Sequence, residues 1–221
     1  MSTPIEDIVI HSGGPRAQAL VLLFHGVGTS AGDLVPLGQA IAAALPDRRV
    51  VSVNAPHRCD LGRGYQWFSV SGVTEANRPE RVAQAMPSFL ATVGRWQREA
   101  GIGPERTDLI GFSQGAIMAL ASTQSVPGCA HRGVAISGRF SRPPQHAPRD
   151  TVVHLLHGQQ DGVIPVAQGV EAAEHLRRLG VPVTLDVLPG LGHGIYDRVT
   201  QRVVSLLSLH AMPSAPREPT T

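Results

Sequence analysis

Thr107-Asp108-Leu109-Ile110-Gly111-Phe112-Ser113-Gln114-Gly115-Ala116-Ile117-Met118-Ala119-Leu120-Ala121-Ser122 is the stretch that decides the fold. Residues 107–110 form a short apolar strand, and residues 116–122 are a helix-forming run of small and apolar side chains. Between them stands G-x-S-x-G, the pattern of a nucleophile elbow. The turn is so sharp that side chains two residues either side of Ser113 would collide, which calls for glycine at 111 and 115. Its consequence is a hydroxyl exposed at the strand's end, backed by a helix N-terminus. Free N–H groups and a positive dipole end there suit a developing oxyanion. Glycine and serine are also ordinary turn residues, so the bare pentapeptide competes on about even terms with a plain strand–helix turn. The rest of the chain has to decide.

Outward from the elbow, apolar strand-like runs alternate with helix-like runs, the signature of a parallel α/β sheet. Strands are predicted at 8–10, 19–24, 50–53, 133–137, 152–156 and 183–188, the first at a sheet edge. Helices are predicted at 33–45, 78–99, 166–179 and 196–209. The second carries Pro79 in its first turn and is expected to bend at Pro87. The residues after Pro56, through Arg58, Tyr65, Trp67 and Phe68, read as a long loop without secondary structure, and such loops are usually functional. With 221 residues and no internal repeat, one domain over 1–211 is expected, with a frayed Pro/Ser/Thr-rich tail at 212–221.

A serine nucleophile needs a base to take its proton and a group to orient that base. In the α/β-hydrolase order, an acid and then a histidine follow the serine, each from a loop after a later strand. His157-Gly158-Gln159-Gln160-Asp161-Gly162 follows the strand 152–156 and offers Asp161. Pro189-Gly190-Leu191-Gly192-His193-Gly194 follows the strand 183–188 and offers His193. Asp161-Gly162 alone reads as a turn, and one histidine among ten is ordinarily structural. Three candidates in the right order at strand carboxyl ends are a different matter, because ligands of open parallel sheets bind there.

Asp186 within a strand and Asp150 before one are poorer acids. His154 and His157 lack a third ligand at a metal-binding spacing. The segment His25-Gly26-Val27-Gly28 follows the strand 19–24, and His25 is expected to brace the loop there. Tetrahedral intermediates of acyl transfer need two fixed donors. The backbone N–H groups of Val27 and Gln114 are the candidates, with glycines allowing close approach.

Taken together, Leu23-Phe24-His25-Gly26-Val27-Gly28, Gln66-Trp67-Phe68, the elbow, His157-Gly158-Gln159-Gln160-Asp161 and Gly192-His193 resemble the carboxylesterase/acyl-protein thioesterase family of α/β-hydrolases, in particular its bacterial esterase branch. The resemblance runs over roughly residues 8 to 209. It implies a single lidless domain with a mostly parallel sheet between helices. Ser113 would be the nucleophile, Asp161 the acid and His193 the base, with no metal or other cofactor. Gly28, Trp67, Phe68, Ile164 and Ile195 are the expected substrate-pocket residues, although packing on the core competes for both rings. Arg58, Asp60 and Arg63 make the long loop polar, so short to medium acyl esters are expected to be preferred over palmitoyl esters.

Composition narrows the alternatives. Hydrophobic residues at 42% and charged residues at 16% mark a globular chain. All 19 basic residues are arginines, scattered along the chain at a net charge of +2, whereas nucleic-acid binding wants a clustered basic stripe. No apolar run reaches membrane-spanning length and the N-terminus is unlike a secretory signal, so stable membrane insertion is not expected and the cytoplasm is. Cys59 and Cys129 are read as free thiols. The expected partner is a small-molecule ester or thioester, and a homodimer is compatible with the sequence. Two other readings compete. One is a non-catalytic binding protein on the same fold. The other is a lysophospholipase or acyl-protein thioesterase that prefers long acyl chains. A peptidase of this fold ordinarily carries a cap or propeller domain, and 221 residues leave no space for one.

Overall fold

The computed structural model describes residues 6–14 and 17–209, so the tail expected at 212–221 lies outside the described residues. Seven strands form the main sheet: β1 (Ile8–His11), β2 (Ala19–Phe24), β3 (Arg48–Val53), β6 (Thr107–Phe112), β7 (Arg132–Ile136), β8 (Val152–Gly158) and β9 (Val183–Leu188). Their spatial order is β1-β3-β2-β6-β7-β8-β9. Only β1 runs antiparallel, against β3. A mostly parallel sheet is covered on both faces, which is why the inner strand β2 reads as a continuous apolar run.

The residues of β2 show how. Leu20, Leu22 and Phe24 point to a core shared with α2 (Arg78–Ala100) and α3 (Gln114–Ser125), through Val82, Met86, Phe89 and Met118. Val21 and Leu23 point the other way, to Leu37 and Ile41 of α1 (Val35–Ala44) and Val199, Val203 and Leu206 of α5 (Asp197–Ser208). The remaining helix, α4 (Val166–Arg178), packs Ala172, Ala173 and Leu176 on β8 residues Val153 and Leu155. Burying strands on both sides in this way places every strand–helix loop at the sheet's carboxyl edge, where the elbow sits.

Local chemistry moved several boundaries. The helix expected to begin at residue 33 opens with a 3-10 turn, Ala31–Leu34, before α1. Asp33 Oδ2 accepts the Ser30 N–H and hydroxyl, each at 2.8 Å, and Pro36 occupies the first turn of the helix. α2 continues through Pro87 for 23 residues in all. β8 runs on to include His157 and Gly158, which the sequence placed in a loop. The segment expected to lack secondary structure holds a small hairpin, β4 (His57–Arg58) with β5 (Tyr65–Gln66), bridged to Thr29 through Tyr65. Two-residue strands are too short to show any hydrophobic period.

Candidate active site

Ser113 follows β6 and caps the N-terminus of α3 with φ 52° and ψ −114°, a positive-φ conformation that costs a non-glycine residue about 1–3 kcal/mol. The surroundings hold it there. Its N–H donates to Ile136 O of β7 at 3.0 Å, and its C=O accepts from Ile117 N–H at 3.1 Å. A side chain at Gly111 would overlap the backbone of Gly115 and Ala116, as the sharp turn requires. The reason for Gly115 is different: a Cβ there would overlap the Phe24 carbonyl at the end of β2. That second glycine therefore lets α3 rest directly on the strand leading to the loop 25–28.

From Ser113 a chain of hydrogen bonds crosses three loops. His193 Nε2 lies 3.0 Å from Ser113 Oγ, and His193 Nδ1 lies 2.8 Å from Asp161 Oδ2. The other carboxylate oxygen, Oδ1, accepts the N–H groups of Val163 and Ile164, each at 2.9 Å. Asp161 is buried, which opposes ionisation. The bond from His193 and the N–H groups of Ile164 and Val163 outweigh that effect and hold the carboxyl below its ordinary range. The Phe112 ring lies 5.0 Å from the His193 ring. Asp186, set aside as an acid from its place within a strand, pairs with Arg202 at 2.9 Å.

His157 is a contributor that the sequence did not single out for this site. Its Nε2–H donates to Ile164 O at 2.7 Å and lies 3.4 Å from Asp161 Oδ2. The imidazole thus pins the residue whose N–H supports the carboxylate. The conspicuous signal was its place four residues before Asp161, which the strand's extension turns into contact.

The loop 25–28 abuts the nucleophile, since a Cβ on Gly26 would lie 3.2 Å from Ser113 Cβ. His25 braces it, accepting Ala55 N–H at Nε2 (3.0 Å) and donating from Nδ1 to Gly26 O (2.7 Å). Burial pushes this imidazole below its ordinary pKa, so it stays neutral. Gly28 N–H is committed to Tyr65 O at 2.9 Å. The N–H groups of Val27 and Gln114, by contrast, donate to no acceptor among the described residues.

The expected pocket residues divide. Ile164 and Ile195 are half-buried beside Asp161 and His193 in sequence, each against one of the two cores. Trp67 and Phe68 are 3% and 5% exposed and belong to the core itself. The Trp67 ring meets Phe24 and Phe89 edge-on, each at 5.5 Å, so it anchors its loop on the core, the packing role that competes with a place in the substrate pocket. Leu61 and Val163 are the most exposed large apolar side chains of the loops 57–66 and 159–165, at 72% and 68% exposure. Two cavities of about 290 and 250 Å³ lie against Phe140, Ser141, Arg142 and Pro143, and neither is lined by Ser113, Asp161 or His193.

Comparison with known proteins agrees with this architecture. Residues 5–211 match the model of the Phospholipase/Carboxylesterase family. The chain belongs to that family. Among its relatives is Esterase YpfH of Escherichia coli (strain K12), 45% identical over 89% of this chain and 84% of the relative. Acyl-protein thioesterase 1 of Kluyveromyces lactis is 31% identical over 79% of this chain and 83% of its own length. The crystal structure of esterase PE8 superposes with a TM-score of 0.83 at 31% identity, covering 94% of this chain and 98% of that one. This member of the Phospholipase/Carboxylesterase family is therefore a hydrolase, and its sheet, helices and single domain are those of the α/β-hydrolase fold. No described helix is long and apolar enough to cross a membrane.

Proposed function

We propose that the protein hydrolyses carboxylic esters, thioesters included, through an acyl-enzyme on Ser113. The observation that carries this reading is the hydrogen-bonded chain Ser113 Oγ–His193–Asp161, with bonds of 3.0 and 2.8 Å at the N-terminus of α3. In the first step His193 Nε2 takes the Ser113 proton as Oγ bonds to the acyl carbon. Asp161 holds the proton on Nδ1 and stabilises the imidazolium that forms. The Val27 and Gln114 N–H groups receive the carbonyl oxygen as it becomes an oxyanion. Collapse breaks the acyl–oxygen or acyl–sulfur bond, and the leaving alcohol or thiol takes its proton from His193. Water then repeats the sequence on the acyl-serine and releases the acid.

Trp67 and Phe68 are spent on the core, and the rim loop carries Arg58 and Arg63, so the site favours short to medium acyl groups. A long apolar groove would instead add about 0.8 kcal/mol of binding per buried methylene. The test is a panel of p-nitrophenyl esters and acyl-thioesters from four to sixteen carbons, run with wild type and Ser113→Ala. Activity that peaks at the short end and vanishes in Ser113→Ala supports the reading. A kcat/KM that climbs steadily to sixteen carbons would replace it with a lipid or acylated-protein substrate. Fluorophosphonate labelling of Ser113→Ala would remove the nucleophile assignment altogether.

A further inference from the structure

We infer that the Gln114 side chain is a positioning residue that sets the relation between the two oxyanion donors, with Trp67 as its relay; this rests on the hydrolase reading above. Those donors come from separate elements, Val27 from the loop after β2 and Gln114 from the first turn of α3. Among the described residues no hydrogen bond joins Gln114 to residues 25–28. A hydrogen-bonded route between them does exist, through residues 65–68.

At one end of the route the buried Gln114 carboxamide uses both of its functions on the backbone of that segment. Its Oε1 accepts Trp67 N–H and its Nε2 donates to Phe68 O, both at 2.8 Å. At the other end the segment is fastened to the loop carrying Val27 by three bonds. Trp67 Nε1–H donates to His25 O at 2.9 Å, Gly28 N–H to Tyr65 O at 2.9 Å, and Tyr65 N–H to Thr29 O at 2.8 Å. The approach is close enough to require glycine at 64, where φ is 77° and a Cβ would overlap the Gly28 carbonyl. Residue 114 thus supplies one donor from its backbone and holds the other in place through its side chain.

The competing role for a buried carboxamide is to satisfy the backbone around it, as buried polar groups generally do. A purely structural amide would affect folding and leave catalysis per folded molecule intact. An oxyanion hole, in contrast, needs its donors 2.7–3.1 Å from the developing charge, and a misplacement of about 1 Å costs on the order of 100-fold in rate. Two variants separate the cases. Trp67→Phe deletes the N–H that reaches His25 O and keeps a ring against Phe24 and Phe89. Gln114→Met keeps the length of the side chain and deletes both of its hydrogen bonds.

Each variant is measured for kcat and KM on p-nitrophenyl butyrate, and for inhibition by a trifluoromethyl ketone, whose serine adduct carries an oxyanion. Ser113→Ala is run alongside, and thermal unfolding confirms the folded fraction. The expected result is a fall in kcat of about 10- to 100-fold in each variant, with KM within about threefold. Inhibition should weaken by the same factor as kcat/KM, and the combined variant should be no worse than the poorer single one, since both interrupt one route. Folded variants with wild-type kcat, or with reduced kcat and unchanged inhibition, overturn the inference. Should Gln114→Met not fold, Trp67→Phe decides alone. An inactive Ser113→Ala beside fully active variants removes the positioning role only, whereas an active Ser113→Ala removes the hydrolase reading beneath it.

Discussion

Replacing Asp161 by asparagine changes one atom, and the structure dictates which way the new amide must face. Oδ1 now accepts two N–H groups, from Val163 and Ile164, while Oδ2 accepts one, from His193. An asparagine that keeps its oxygen toward the loop retains two hydrogen bonds, each contributing about 1 kcal/mol net. The flipped orientation retains one and sets an NH2 group against two donors. The first arrangement therefore wins, and the NH2 group faces His193 Nδ1. To avoid a donor–donor clash the imidazole must accept there and carry its proton on Nε2, the atom 3.0 Å from Ser113 Oγ. A base with its proton on that nitrogen cannot receive another. In a different triad the same substitution lowers kcat by ~10⁴, equivalent to about 5 kcal/mol of barrier. Asp161→Asn should lose activity on that order on p-nitrophenyl butyrate between pH 6 and 9. Its melting temperature should stay near that of wild type, because the loop's hydrogen bonds survive. A folded Asp161→Asn enzyme with activity within tenfold of wild type would refute the orientation argument and the role of Asp161 together.

Gly115→Ala drives a Cβ into the Phe24 carbonyl, so α3 must lift from β2 at a cost of about 1–3 kcal/mol in urea unfolding; Gly162→Ala, with open space around it, should change stability by less than about 0.5 kcal/mol. His154 is buried, donates to or accepts from Thr184 Oγ1 at 2.7 Å, and is pushed down to about 4 by burial and by Arg132 and Arg202. Its folded-state pKa lies below the unfolded value of 6.5, so its contribution is complete above pH 6.5 and is lost as pH falls toward 4. That loss amounts to about 3 kcal/mol, and urea titrations of wild type and His154→Asn at pH 7.5 and 4.5 should differ in their pH response by roughly that amount. Finally, Ser113→Ala, His193→Ala and the double variant should show about equal residual kcat, since the groups act as a unit; additive losses would show that they act separately.

Much of this protein's architecture is legible in its sequence. The continuous apolar run of β2 points to a sheet buried on both faces, because a strand with one solvent-facing side alternates apolar and polar residues. The elbow pentapeptide and the order of Ser113, Asp161 and His193 after β6, β8 and β9 are local signals, each carried by adjacent residues. What the sequence could not separate was the fate of side chains whose partners lie far along the chain. Trp67 and Phe68 sit beside polar residues in a loop, yet they close the core against Phe24 and Phe89, which come from β2 and α2.

The same limit explains Gln114, whose side-chain partners lie 46 and 47 residues away, and His157, whose contact with Asp161 depends on β8 running two residues longer than expected. Gly115 is the sharpest instance. Its need for a missing Cβ is visible from the motif, but the atom it avoids belongs to Phe24, across the sheet. Patterning along the chain determines which elements form and which loops meet at the carboxyl edge. Which side chain supports which, and at what distance, was decided only when β2, β6 and the 65–68 segment packed together. A hydrogen bond depends on position to within tenths of an ångström, whereas a hydrophobic pattern depends only on which face is turned inward.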